Sequence, residues 1–289
     1  MPSSIAPEAT RAGATGPCEL AKFWDDRARA FGRSDPEGWS AVCHRGAPVY
    51  FNRFIDWSQR RAIDRLLHRV SFEPGDPAVD VGCGTGRWTK ELAVRGLAAR
   101  GFDVSPAMVE RARELAPGVE FEVASATELP LPSASQSVVT CVTVLHHLSY
   151  DQQAEAVSEL SRVLAPGGSC IAAVLLNRLP SGKWCYPRSK RGWEGLFREH
   201  GLRAVTHRGE EFPTPALLLQ WAAGALAALR RGASTASTTG AGSGTGIGSA
   251  AYRALHRTAV LASYPLESIF SALWPGGPAT GLASLYVKE

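Results

Sequence analysis

No two cysteines in the 289-residue chain stand at C-x-x-C spacing, and no histidine follows one at zinc-finger spacing. The six cysteines, Cys18, Cys43, Cys83, Cys141, Cys170 and Cys185, therefore read as small buried hydrophobes in a reducing compartment. They form neither a disulfide frame nor a structural metal site, and no metal cluster is expected. A long hydrophobic run is also missing. The longest, Ala216 to Leu229, is interrupted by Gln220 and is too short to span a bilayer, so no membrane partner is expected. The opening MPSSIAPEATRAGATGP lacks a charged region followed by an apolar one, the pattern of a signal peptide. Its Pro, Ser, Ala and Thr content predicts a disordered tail over 1–17, and a cytoplasmic location follows as the default. Nor is there a Lys/Arg run. The net charge of +4 is mild and scattered, which argues against a nucleic-acid surface.

What is present is an ordinary globular composition, 45% hydrophobic and 20% charged, on a chain long enough for one large domain with an embellishment. Residues 18–70 read as an N-terminal helical cap. In FIDWSQRRAIDRLLHRV the apolar positions Phe54, Ile55, Trp57, Ile63, Leu66, Leu67 and Val70 fall near one helical face. After the breakers EPGDP, strands and helices alternate. AVDVG, AARGFDVS, VEFEVAS, SVVTCVTVL and SCIAAVLL read as strands, and RWTKELAVRG, SPAMVERARELAPG and YDQQAEAVSELSRVL as helices. Gly96 is a stop signal for the first of these helices, and Ser105 with Pro106 starts the second.

One more helix and strand follow in RGWEGLFREHGLRAVTHRGEEF. The fold predicted is α/β, a Rossmann-like doubly wound and mainly parallel seven-stranded sheet, with core residues 71–211 and a closing strand at 281–289. Residues 212–280 read as a helical insertion before that last strand, serving as a lid or a dimer surface. They include a flexible Gly/Ser/Thr loop at 232–249, and a homodimer is one expected assembly.

Gly82, Gly84 and Gly86 lie between the first strand and its helix, spaced G-x-G-x-G. The dinucleotide fingerprint G-x-G-x-x-G would need glycine where this chain has Arg87. Asp103 ends the second strand, where an acid can accept both hydroxyls of an adenosine ribose. Asp80, just ahead of the glycines, orients the loop backbone or meets a cofactor ammonium group.

Four segments, VDVGCGTGRWTKELA, GFDVSPAMVERAR, ATELPLPSASQSVVTCVTVLHHL and LSRVLAPGGSCI, carry a resemblance. In their order and spacing the chain resembles class I S-adenosylmethionine-dependent methyltransferases, closest to the small-molecule branch of the ubiquinone/menaquinone type. The likeness covers roughly residues 71–176. It implies S-adenosyl-L-methionine as cofactor. Asp80, Gly82, Gly84 and Gly86 would line its methionine part and Asp103 would hold the ribose. Val104 and Met108 would pack on the adenine, Ser125 and Ala126 would meet the adenine edge, and Val142 would lie near the sulfonium. Two positions depart from the family pattern. Ser125 stands where an Asp is frequent, and Gln136 with Ser137 where Phe-Asp commonly opens the fourth strand.

Methyl transfer from a sulfonium needs a positioned acceptor and, in many cases, a base. His146 and His147 stand at the carboxyl end of the fourth strand and are the candidate bases, His146 slightly favoured; on a helix at most one of the two faces the methyl group. Trp24, Tyr50, Trp184, Tyr186 and Arg188, in the segments flanking the core, are candidate walls for a planar or apolar small molecule. A methyltransferase acting on a small-molecule secondary metabolite is expected, at oxygen first and then at carbon or nitrogen. The alternatives are a methyltransferase-fold protein that binds the cofactor without transferring methyl, and a nicotinamide-dependent oxidoreductase.

Overall fold

The computed structural model of the chain describes residues 17–31, 37–43, 47–177, 185–210, 249–273 and 279–289. Three helices come first: α1 (Pro17–Phe31), α2 (Trp39–Val42) and α3 (Val49–Leu67). The alternation then runs β1 (Pro77–Val81), α4 (Arg87–Val94), β2 (Ala98–Asp103), α5 (Pro106–Leu115), β3 (Glu120–Val123) and β4 (Gln136–Val142). A 3-10 turn at Leu145–His147 leads into α6 (Tyr150–Val163), β5 (Leu164–Leu175), α7 (Lys190–Glu199) and β6 (Leu202–Glu210). Helix α8 (Ser249–Leu273) and strand β7 (Gly281–Lys288) follow.

Helix boundaries sit where side chains can satisfy the free backbone groups. Ser105 accepts the N–H of Met108 at 3.2 Å with Pro106 in the first helical turn, so α5 starts on an oxygen cap and a preset φ. Ser149 and Gln152 close a reciprocal capping box on α6. Past the end of α4, Gly96 takes φ +92° and donates to the carbonyl of Ala93, a turn that a side chain would strain.

The strands form one seven-stranded sheet in the order β3-β2-β1-β4-β5-β7-β6. The pairings β3–β2, β2–β1, β1–β4 and β4–β5 are parallel, whereas β7 runs antiparallel to both β5 and β6. Both faces of the central strands are covered, which is why they read as nearly continuous apolar runs. On one face Val79, Val139, Cys141 and Ala172 pack with Leu160, Trp193 and Phe197. On the other, Ala78, Val138, Ile171 and Ala173 pack with Ile63, Leu66, Trp88 and Leu92. The order reverses between β1 and β4, so their carboxyl ends part and open a crevice, the usual ligand edge of such sheets.

Two boundaries differ from the sequence reading. Strand β5 begins at Leu164, ahead of the Pro-Gly-Gly turn, because Leu164 pairs with Gln136 before a register shift carries the ladder to Ser169. Helix α1 starts at Pro17, a residue assigned to the tail; residues 1–16 lie outside the described part. Of the 212–280 segment, residues 212–248 and 274–278 also lie outside it, including nearly all of the Gly/Ser/Thr stretch. The described part, α8, lies along α3: Val260 packs with Phe51, Phe54 and Ile55, and Ser58 donates to Glu267. No described helix is long and apolar enough to cross a membrane.

Candidate cofactor site

The crevice at the β1–β4 reversal holds a cavity that encloses about 920 Å³ of space, part of it open to solvent. The glycine loop forms its floor. Gly82 and Gly84 have φ of +70° and +54°, and a Cβ on Gly82 would overlap Val144 while one on Gly84 would stand 2.7 Å from Val42. Only glycine leaves that space and adopts that backbone without strain. Both N–H groups of Gly82 and Cys83 donate to the carbonyl of Phe102, which fastens the loop to the end of β2.

Asp103 is at that end. Its Oδ2 accepts the N–H of Gly84 at 2.8 Å and its Oδ1 the N–H of Ser105 at 2.9 Å. Burial pushes its carboxyl up to about 6, against the two backbone donors that hold it down. Each oxygen keeps lone pairs beyond the one bond shown, so the acid can still accept hydroxyls.

Further residues come from expected and unexpected places. Val104 and Met108 line one wall, Ser125 and Ala126 another, and Val142 the end of β4. Ser125 is engaged with Thr127, its hydroxyl 2.8 Å from the threonine's. Trp24 and Leu20 cover the cavity from α1. That helix is pinned by Asp25, which accepts from the hydroxyl of Ser105 and from the N–H of Ala107 at 3.0 Å, a carboxylate on the N-terminus of α5. Thr143, beside Val142, holds φ +60°, a left-handed turn that its N–H bond to the Ala173 carbonyl sustains.

Several predicted site residues lie elsewhere. Asp80 is buried beneath the loop, accepting the hydroxyls of Thr89 and Thr140 at 2.8 Å each. It ties β1, α4 and β4 together and orients the loop from below, and it does not reach the cavity wall. Gly86 caps α4 with φ +80°, facing Phe121.

The histidines exchange roles relative to the sequence preference. His147 lines the cavity, whereas His146 is buried, with Nδ1 accepting the N–H of Leu175 at 3.3 Å. Burial drives the His146 imidazole well below its ordinary range, with the neighbouring His147 adding to the effect. A 3-10 turn separates neighbouring side chains by about a third of a turn, so only one can face the crevice.

Tyr50 points to α8, its hydroxyl 2.9 Å from Nδ1 of His256. Tyr186 donates its backbone N–H to the carbonyl of His146, and Arg188 donates to Gln153 at 2.6 Å while lying over the ring of Tyr150. These three brace the far side of the 3-10 turn or the α3–α8 contact, and none lines the cavity. Trp184 lies outside the described residues.

The sequence reading missed Leu20, Val42, Thr143 and Arg87 as cavity residues. Arg87 carried a signal, since a charge in an otherwise small and apolar motif must be paired to be buried. It is paired, Nη1 with Asp56 at 2.7 Å and Nη2 with Gln59 at 2.9 Å.

Residues 78–168 match the family described as a methyltransferase domain. The chain is 31% identical over 174 residues to 27-O-demethylrifamycin SV methyltransferase of Amycolatopsis mediterranei, covering 57% of this chain and 62% of that one. It is 37% identical over 129 residues to trans-aconitate 2-methyltransferase of Methylobacterium nodulans, covering 44% and 48%. The matches therefore span less than two thirds of these relatives' length. Among solved structures, the [4+2]-cyclase SpnF superposes with a TM-score of 0.59 at 19% identity, over 95% of this chain and 97% of that one, a likeness of fold.

Residues 78–168 carry a methyltransferase domain, and over that core the chain is similar to S-adenosylmethionine-dependent methyltransferases. S-adenosylmethionine is the cofactor of that family. The cavity suits it, with a buried carboxylate for the ribose, apolar walls from Val104 and Met108, and a backbone floor that admits no side chain.

Proposed function

We propose that the protein transfers a methyl group from S-adenosylmethionine to a small-molecule acceptor, an oxygen nucleophile in the first instance. The observation that carries this reading is the meeting of two half-sites on one cavity: the Asp103–Gly84 pair on one side, His147 and Trp24 on the other. The cofactor, when bound, supplies an activated methyl on a sulfonium. The chain's own work is then to hold, orient and deprotonate.

Asp103 accepts the ribose hydroxyls, and Val104 with Met108 flanks the base. Trp24, Leu20 and Leu148 give the acceptor an apolar seat and keep water away. His147 takes the acceptor's proton as the new carbon–oxygen bond forms and the carbon–sulfur bond breaks, leaving S-adenosylhomocysteine and a protonated imidazole. The names of the two relatives, an O-demethylrifamycin and a tricarboxylic acid, support oxygen as the acceptor atom. A secondary metabolite suits the apolar, aromatic seat.

The likeness in fold to the [4+2]-cyclase SpnF supports a second reading, since a shared fold does not dictate chemistry. In that reading the cofactor is bound without transfer. Titration with S-adenosylhomocysteine and separately with NADH, followed by assay of S-adenosylhomocysteine release across a panel of phenols, alcohols and carboxylic acids, separates the outcomes. Binding with release on one acceptor class supports transfer. Binding without release on any acceptor supports the second reading, and NADH binding alone overturns both.

A further inference from the structure

Among the described residues that line the cavity, Asp103 and Arg87 are the ones of fixed opposite charge. Asp103 is accounted for by the ribose. Arg87 has no such account, yet its side chain is only 7% exposed and stands at the first turn of α4, directly after the glycine loop. A guanidinium carries five N–H donors. One is spent on Asp56 and one on Gln59, and Nη1 also lies 3.8 Å from Sγ of Cys43. Among the described residues the other two donors meet no acceptor, an arrangement that a buried cation adopts at a cost unless something else accepts them. Asp56 does not neutralise it alone, because the same carboxylate also pairs with Arg60 at 2.8 Å. Stacking over Trp88, 4.8 Å from the ring centroid, and the bonds to α3 hold the fork in one orientation before any ligand arrives.

We infer that Arg87 is the ligand of the cofactor's carboxylate, with Asp56 and Gln59 as its positioning residues. This rests on the reading of S-adenosylmethionine as the bound molecule, whose single anionic group is that carboxylate. The cavity then offers a hydrogen-bond acceptor for the neutral ribose diol at one place and a cation for the carboxylate at another. Arg87 also answers why this chain has no glycine there: the position is given to a side chain that reads the amino-acid end.

The test is the affinity of wild-type protein for three ligands, measured by calorimetry: S-adenosylhomocysteine, its decarboxylated analogue and 5′-methylthioadenosine. Wild type is expected to bind S-adenosylhomocysteine ten- to a hundredfold more tightly than the decarboxylated analogue. Arg87→Lys, which keeps a charge beside Asp56 but loses the fork, should weaken S-adenosylhomocysteine at least tenfold and leave the other two within twofold. If that variant does not fold, Arg87→Gln combined with Asp56→Asn removes both charges together and should give the same pattern. Equal affinity of wild type for S-adenosylhomocysteine and the decarboxylated analogue overturns the assignment of Arg87, as does equal weakening of all three by the variants. Failure of wild type to bind any of the three overturns the cofactor reading itself.

Discussion

Trp24 meets His147 edge to face, ring centroids 5.0 Å apart and planes at 77°, so α1 and the 3-10 turn after β4 touch across the mouth of the cavity. The contact joins the helical cap to the proposed base and helps to orient its imidazole, which also lies against His146, ring centroids 4.3 Å apart.

Replacing the two histidines separates chemistry from packing. His147→Ala should lower kcat by roughly 10²–10⁴ with S-adenosylhomocysteine affinity little changed, as loss of a general base does. His146→Ala should instead cost about 1–3 kcal/mol of stability, because the Leu175 N–H loses its acceptor inside the core. Steady-state kinetics and denaturant melts on both variants distinguish the roles. Equal kinetic loss in the two would remove His147 from the reaction.

Asp103 sets a pH dependence. Its carboxyl sits at about 6, and only the ionised form accepts both ribose hydroxyls. Affinity for S-adenosylhomocysteine should therefore be flat above pH 7 and fall about tenfold per unit below pH 6. Stability of the ligand-free protein runs the other way. A carboxyl raised above its unfolded value binds protons better when folded, so this group's contribution is largest at low pH and is lost as pH rises through about 6. Calorimetric titration from pH 5 to 8 on wild type and Asp103→Asn checks it, and the variant should be weak and pH-insensitive.

Glycine substitutions test the floor of the site. Gly118 and Gly82 both have positive φ, but a Cβ on Gly118 meets nothing within 4 Å whereas one on Gly82 overlaps Val144. Gly118→Ala should cost only the backbone term, about 1–2 kcal/mol. Gly82→Ala should cost about 1–3 kcal/mol more from overpacking and abolish cofactor binding. Denaturant melts with and without S-adenosylhomocysteine read both effects.

Asp25 and its neighbour Asp26 give a matched pair on α1. Asp25 holds the start of α5, while Asp26 faces solvent against Lys22. Asp25→Ala should speed dissociation of S-adenosylhomocysteine about tenfold, the loss of roughly one charge-assisted bond that keeps Leu20 and Trp24 over the ligand. Asp26→Ala should leave the rate as it is. Stopped-flow displacement measures it, and identical behaviour of the two variants would detach α1 from the site.

The strands and their order of appearance were legible in the sequence because buried parallel strands write themselves as apolar runs between glycine and proline breaks. Gly82, Gly84 and Asp103 were legible from their places at the ends of strands, and Val104, Met108, Ser125, Ala126 and Val142 only through the family resemblance; all of them line one cavity. Contacts over long sequence separation were not. Asp25 reaches Ser105 across eighty positions, and Tyr50 turns away to His256 more than two hundred positions on, with no periodicity to announce either. Arg188 looked like a substrate ligand because it follows the fifth strand on a segment expected to face the cofactor edge. Here Gln153, buried on α6, is what it binds. The choice between His146 and His147 depended on the phase of a three-residue turn, which a sequence does not reveal.

Strand β7 lies between β5 and β6, though it follows both in the chain. Until residues 281–288 have been made, β5 and β6 have no common neighbour, and each presents an unpaired ladder edge. Until then the sheet has a gap between β5 and β6, on the side of β5 away from the crevice. Assembly of this half of the sheet must wait for β7 to insert, a late, long-range step.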